Sequence, residues 1–433
     1  ALDEGIFDWF KKHNRTKALV RQINNPVAGV DNGLLALTGI GCQKDKDFGF
    51  ASCPRLLNTA EGMNVLVEKQ VADGFQYGIT NIEYTEFEQK GIKDMPAAPG
   101  SLYSMFPSNT NILFIDLDAI QEAAKTCPIP GMIINMKTSI PCLDKNGKIK
   151  EILAGRLEST MQNIADCILD KVPQRLLEGQ CKDLRTFLTY NERRKTISVT
   201  KQSYIPGKTL VGTPEGCFFD LMEDYRDLLV DYCAMKMPKM PSHEDYIKDG
   251  PTFLIDFHPA LGGLFEVIGQ KIKGGSITRG AEWMMEIAEA DIENLHLEGS
   301  LLIEAENIFG KRNQEGAIVF GRECGKCVLK NIEVKNRGID YSAKNIYWKH
   351  KVERIEALQI ILRGNGEFIA ENVKFNGDMR IEVPDGKRMI AYMSEGEATF
   401  RMEDIDQPSW HWQYEFGAEN EIILKKRPQS DRI

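Results

Sequence analysis

The chain has 433 residues, 42 % hydrophobic and 27 % charged, an ordinary globular composition with enough apolar material for more than one core. With 54 Lys and Arg against 63 Asp and Glu the net charge is −9, so the basic footprint that a nucleic-acid binder needs is absent. Ten cysteines without framework spacing point to free thiols in a reducing compartment, and the longest apolar runs fall short of the ~18–20 residues of a membrane-spanning helix.

Residues 3–13 place Ile6, Phe7 and Phe10 on one side at helical spacing, and 17–23 (KALVRQI) reads as a strand that Asn24-Asn25-Pro26 stops. A mostly apolar helix follows over 31–42, with Asp31 as a capping residue. Segments 48–53, 64–69, 77–84, 111–116 and 131–136 are strand-like, and Asp144-Lys145-Asn146-Gly147 reads as a hairpin turn. Two further helices are expected: 156–171, from the spacing of Leu157, Met161, Ile164 and Ile168, and 217–233, around Phe218, Leu221, Met222 and Leu228. Strands alternating with helices predict an α/β fold, Rossmann-like, with a mostly parallel sheet covered on both faces. The Pro-rich segment 235–251 reads as a boundary or connecting loop. From about Asn294 short strands recur with LxxxGxxxIxxxN-like spacing, the pattern of a β-solenoid, although a β-sandwich would also give many short strands. The division is drawn at residues 1–290 and 291–433.

Several motif lookalikes carry no chemistry. Gly39-Ile40-Gly41 lies in or after a helix and lacks the third glycine of a dinucleotide fingerprint, and Gly207-Lys208-Thr209 lacks the first glycine of a P-loop. Cys324-Gly325-Lys326-Cys327 has no second pair to complete a zinc site, and the six histidines are isolated. More informative is Ile82–Phe87, which puts Glu83 at a strand end where a carboxylate accepts two hydrogen bonds from vicinal sugar hydroxyls; the alternative is an exposed polar edge. Asn109-Thr110-Asn111 offers amides that suit a sugar but also suit a turn. Arg193, Arg194, Lys195 and Lys201 form a basic cluster in an acidic chain, which suits a phosphate or a solvated strand face.

In order along the chain, GFASC (49–53), EGMNVLVEK (61–69), IEYTEF (82–87), SNTNILFIDL (108–117), GRLESTMQNIAD (155–166), YNERRK (190–195), FHPALGGLFEVIGQKIKGGSI (257–277), LEGSLLIEAEN (297–307), CGKC (324–327), NRGID (336–340) and EVPDGKR (382–388) resemble the C-terminal part of the plastid-type UDP-glucose pyrophosphorylases. The resemblance implies a nucleotide-diphosphate-sugar pyrophosphorylase α/β domain followed by a C-terminal β-helix. It implies an enzyme, a uridylyltransferase joining UTP and glucose 1-phosphate into UDP-glucose and pyrophosphate with Mg²⁺. Glucose-holding positions fall on Glu83, Asn109 and Asn111, with Glu158 of the LES segment bordering the sugar. The phosphate-contacting base is assigned to Lys201, with Arg194 and Lys195 as rivals. Where many relatives place a Mg²⁺-holding Asp this chain has Asn25, and an amide is a poorer ligand for a hard cation.

The family's Gly-rich UTP loop and its uracil-contacting Gly-His-Gly segment have no counterpart in this sequence, so half a site is expected. Two alternatives stand beside this reading: the same fold acting on another sugar 1-phosphate, and a non-catalytic fragment or scaffold that self-associates through its β-helix. A plastid stroma or a bacterial cytoplasm is implied as the compartment.

Overall fold

The structure, a computed structural model, describes the chain except residues 29, 178, 307–309, 317, 320–322, 343–351 and 429–433. It divides into two compact units, one of Ala1–Gly29 with Gly33–Ile197, the other of Val30–Asn32 with Ser198–Ile433.

The first unit is a sheet with helices on both faces. Its elements are α1 (Ile6–Lys12), β1 (Lys17–Val20), α2 (Gly33–Gln43), β2 (Phe48–Leu56), β3 (Met63–Val71), β4 (Gly74–Ile82), β5 (Tyr103–Asp116), α3 (Leu117–Thr126), β6 (Met132–Leu143), β7 (Ile149–Ser159), β8 (Asp170–Val172) and β9 (Thr186–Tyr190). The strand order is β8-β4-β3-β5-β2-β9, with β1 also on β5. Alternation along β2 and β5 serves two cores. Phe48, Phe50 and Leu113 pack with α1, α3 and Ile164 on one face, while Ala51, Ile112 and Phe114 pack with Leu37 of α2 on the other.

The α/β layering is as expected, but the pairing is mixed. Among the described residues only β2 with β9 is parallel in this sheet, and β1–β5, β2–β5, β3–β4, β3–β5 and β4–β8 are antiparallel. A two-residue turn between β3 and β4 closes a hairpin, which needs no crossover helix. The helix expected over 156–171 is corrected too. Leu157 pairs with Ile134 in the β6–β7 ribbon, Ser159 and Thr160 hydroxyls donate to Pro130 O and Gly131 O, and only Met161–Cys167 coils, as a 3-10 turn. The hairpin turn at Asp144 forms as read, with Gly147 N–H donating to Asp144 O.

In the second unit α4 (Pro214–Asp227), capped by Thr213, runs into a π-turn at Leu228–Tyr232. The segment 235–251, read as a boundary or loop, lies inside this unit and contains α5 (His243–Asp249), capped by Ser242. Strands then wind as parallel coils, with α6 (Phe265–Lys271) leading directly into one of the first of them. One sheet stacks β10 (Leu254–Phe257), β12 (Glu282–Met285), β14 (Ser300–Ala305), β18 (Leu358–Leu362) and β21 (Met379–Val383). The other stacks β11 (Ile272–Ile277), β13 (Glu289–Glu298), β17 (Lys326–Lys335), β19 (Glu367–Glu371) and β22 (Lys387–Ser394), with β20 (Lys374–Asn376) on β17. Antiparallel β23 (Glu397–Asp404) follows β22; a ribbon of β15 (Lys311–Arg312) with β16 (Ile318–Val319) and one of β24 (Trp410–Phe416) with β25 (Ile422–Pro428) complete the unit.

This is a β-helix, filled by Trp283, Leu301, Ile303, Leu329, Leu358, Phe368 and their neighbours. The recurrent asparagine of the sequence pattern has a physical cause. Asn294, Asn331 and Asn372 each turn the chain at positive φ and form a ladder, Nδ2 of one donating to Oδ1 of the next at 3.1 Å. Cys327 of the CxxC is a buried coil residue, whose thiol burial pushes up.

Gly275 and Gly274 separate two effects of a side chain. Both have positive φ, but a Cβ on Gly275 would lie 2.0 Å from Leu295 O, while one on Gly274 meets nothing within 4 Å. Gly274→Ala is expected to cost about 1 kcal/mol and Gly275→Ala roughly 3 kcal/mol or more, because backbone has to shift. Denaturant unfolding of the two variants checks the difference.

Candidate functional site

The first unit carries a cleft of about 380 Å³, walled by β4, the residues after it, the start of β6 and the Met161–Cys167 turn. Lys69, Thr80, Glu83, Gly131, Asn163 and Asp166 line it. Glu83 follows β4, where the chain leaves the sheet for a 3-10 turn at Tyr84–Glu86. Its Oε1 accepts from Asn81 Nδ2 at 2.7 Å and from Gln162 Nε2 at 3.1 Å, so two neutral amides orient the carboxylate. Asn163 donates to Asn81 O at 2.9 Å, and the Thr80 hydroxyl donates to Asp166. The Met161–Cys167 turn is thereby sewn to β4. Gly131 permits the close approach: at φ 54° it leaves no room for a Cβ, which would sit 1.8 Å from Thr160 Oγ1.

The polar row extends across the sheet. Asn64, opposite Asn81 in the β3–β4 register, donates to Ser52 Oγ at 2.6 Å. Both amides are buried, and Asn64 Oδ1 and Asn81 Oδ1 have no donor among the described residues. A buried acceptor left unpaired costs on the order of 1–3 kcal/mol; of the two residues, Asn81 lines the cleft. Residue spacing does not reveal this row; Asn64, Asn81, Gln162, Asn163 and Asp166 look like polar interruptions of strands or the outer face of a helix.

The other sequence candidates are placed differently. Asn109 and Asn111 form a bulge within β5 instead of a turn: Asn111 has φ 55°, its N–H donates to Asn109 Oδ1, and Asn109 Nδ2 donates to Asn111 Oδ1 at 2.9 Å. Glu158 sits opposite Ile133 in the ribbon and is ion-paired with Arg156, next to the cleft lining but not in it. Asn25 is buried and donates to Thr196 O at 2.9 Å. Among the described residues no group of three or more His, Cys, Asp or Glu is placed to hold a metal.

The basic cluster divides. Arg193 is consumed by Glu61, whose two oxygens it engages, and by Pro54 O. Arg194 and Lys195 belong to the same unit and pair with Glu192 at 3.6 and 3.8 Å; Lys201 belongs to the second unit.

Comparison with known proteins gives three findings. Residues 272–427 match the family model described as UGP3-like, C-terminal hexapeptide repeats. The chain is 42 % identical over 434 aligned residues, 96 % of its length, to "UTP--glucose-1-phosphate uridylyltransferase 3, chloroplastic" of Arabidopsis thaliana, and spans 49 % of that protein, about half the length of the curated relative it matches. Among solved structures, a UDP-glucose pyrophosphorylase mutant of Leishmania major in complex with UDP-glucose is similar at TM-score 0.32 and 13 % identity, covering 89 % of this chain and 60 % of that one. A UDP-glucose phosphorylase of Trypanosoma brucei is similar at TM-score 0.29 and 12 % identity, covering 88 % and 58 %.

Behind the cluster, burial raises the Glu61 carboxyl, but the hydrogen bonds and charge of Arg193, with Ser108 and Arg55, hold it below its ordinary value of 4.5. A depressed folded-state pKa gives stability that is present above about pH 4.5 and lost as pH falls through the folded value. Glu61→Gln should therefore flatten the acid limb of a stability–pH profile, and Arg193→Ala should cost about 3 kcal/mol by stranding a buried carboxylate. Urea unfolding between pH 3 and 7 reads both. The resemblance of the sequence to the plastid-type UDP-glucose pyrophosphorylases thus holds over nearly the whole chain, down to the hexapeptide-repeat β-helix.

Proposed function

We propose that this chain is part of a nucleotidyltransferase that forms UDP-glucose and pyrophosphate from UTP and glucose 1-phosphate, and that its first unit holds the glucose. The observation that carries this reading is the Glu83 carboxylate, aimed by Asn81 and Gln162 at the rim of the cleft. An ionised carboxylate only accepts, so it suits a pair of vicinal hydroxyls, and the amides that orient it limit the entropy lost on binding. The identity to the Arabidopsis protein supports the substrate assignment, and that protein's printed name supports a plastid, with the stroma as the proposed compartment.

In the proposed reaction a phosphate oxygen of glucose 1-phosphate attacks the α-phosphorus of UTP, forming one P–O bond while the bond to the bridging oxygen breaks and pyrophosphate leaves with its electron pair. This chain's contribution is position and charge: Glu83 fixes the sugar, the Asn109–Asn111 bulge presents amides on β5, and a cation meets the phosphate. Arg194 and Lys195 are the stronger candidates for that cation, because they share a compact unit with Glu83; Lys201 stays as the rival. No glycine-rich phosphate loop is assigned within this sequence. Gly207-Lys208-Thr209 is a turn, in which Lys208 N–H donates to Ile205 O. Mg²⁺ is taken to arrive as the counter-ion of UTP, the usual way a cation that keeps several waters is bound through substrate phosphates.

Calorimetric titration of glucose 1-phosphate into the chain tests the reading. Saturable binding is expected, weakened ~10–100-fold by Glu83→Ala without loss of fold, as for removal of hydrogen bonds to a charged group at about 1.5–3 kcal/mol. An unchanged affinity removes Glu83 from the site. Tighter binding of galactose 1-phosphate reassigns the sugar, and no binding of any sugar phosphate or of UDP-glucose favours the scaffold reading.

A further inference from the structure

Strands β6 and β7 form a two-stranded ribbon that no third strand joins among the described residues. Their register fixes which side chains share a face: Ile134 lies opposite Leu157, Ser139 opposite Leu153 and Leu143 opposite Ile149, and alternation along β7 puts all three pairs on one side. Met136 joins them, because its sulfur is what a Cβ on Gly155 of the same side would meet, at 3.0 Å. Ile134, Met136, Leu143, Ile149, Leu153 and Leu157 are each 50 to 75 % exposed. The opposite face is mixed: Ile140 and Ile152 share it with Lys150 and an Arg156–Glu158 ion pair. Along β7 the apolar face carries one charge, Glu151, whose carboxylate accepts from the Ser139 hydroxyl at 2.7 Å.

We propose that this face is the interface of a two-fold dimer of the chain, the ribbon of one copy stacked face to face on the ribbon of a second. Six residues of this size, so exposed, present on the order of 700 Å², more than the ~300–600 Å² of the largest apolar patch on a typical monomer and close to the ~800 Å² that each partner brings to a standard interface. The pattern reads the same from either end. Ile134 with Leu157 lies four positions from Leu153 on one side, and Leu143 with Ile149 lies four positions from it on the other. A two-fold axis through Leu153 therefore lays the base pair of one copy on the tip pair of the other and brings the two Leu153 side chains together, as an isologous contact requires. Strand addition at the β6 edge is blunted, since Pro141 has no N–H to give a new strand and the register shifts between Asn135 and Thr138, so the face is the surface left to pair. Stacked at the ~10 Å spacing of packed sheets, each two-stranded ribbon, marginal alone, becomes half of a four-stranded sandwich.

Sedimentation velocity of the full chain across roughly 1–100 μM, a range that brackets interfaces of this area, tests the dimer, and hydrogen exchange at both ends of that range locates it. The expected result is a concentration-dependent dimer in which the amides of 132–159 gain protection. Leu153→Lys, at an exposed position where unfolding curves should match the wild type, puts two ammonium groups at the axis and is expected to raise the dissociation constant at least ~100-fold. Leu153→Glu should do the same, and an equimolar mixture of the two variants should dimerise again. A chain that stays monomeric over the range, a dimer that Leu153→Lys leaves intact, a mixture of the variants that stays monomeric, or protection that rises in the β-helix strands and not at 132–159 overturns the proposal. So does ribbon protection that phosphatidylglycerol vesicles bring to a monomer, which assigns the face to a lipid surface.

Discussion

Strand β5 is the constraint from which the first unit follows. It pairs with β1, β2 and β3, so its fourteen residues fix the order of the sheet. Its C-terminal end is tied as well: Asp116 caps α3 by accepting from Ala119 N–H and pairs with Lys17 at 2.6 Å. Near its middle the register against β2 shifts between Phe50 and Ser52, and Asn111 absorbs the extra chain at positive φ. Asparagine is the side-chain-bearing residue best suited to that conformation, since a short amide can bond locally, and Asn109 and Asn111 bond each other. The Asn-Thr-Asn motif therefore has a structural reason to exist before any ligand is considered.

The cleft depends on that sheet through a second set of bonds. β4 is nearly at the sheet's edge, and what turns its end into a site is the Met161–Cys167 turn, whose amides and carboxylate engage Thr80, Asn81 and Glu83. Ile164, Ala165 and Ile168 bury the other side of the same turn. Apolar packing thus sets the height of the turn and its polar face aims the carboxylate, which places the orientation of Glu83 under the control of the core and not of a mobile side chain.

Much of this was legible in the residues. The α/β alternation, the Asp144 turn, the β-solenoid and the place of Glu83 at a strand end all follow from periodicity, turn chemistry or motif. What spacing could not reveal was pairing. Leu157, Met161, Ile164 and Ile168 recur at helical intervals, yet Leu157 serves a β-ribbon while Ile164 and Ile168 serve a core, and no local pattern distinguishes one owner of an apolar stripe from two. The direction of β3 and β4 was similarly hidden, because buried strands of either sense are apolar. The row from Ser52 to Gln162 escaped for the same reason: its members lie on different elements, and only the strand register makes them neighbours.

The arginines and lysines after β9 show how that register sorts identical charges into different work. Arg193 is 17 % exposed in its side chain and meets a carboxylate 14 % exposed, a pair whose desolvation would be costly unless both oxygens were engaged, as they are. Its planar fork is thereby committed to joining β2, Glu61 and the segment after β9. Arg194 and Lys195, one and two residues on, meet Glu192 at 3.6 and 3.8 Å. Three adjacent basic candidates and Lys201 six residues on therefore reduce to one structural clamp, two cations carried by the unit that holds Glu83, and Lys201 on the other unit. The charge balance of the whole chain is acidic, so a locally positive field arises only where folding concentrates such cations.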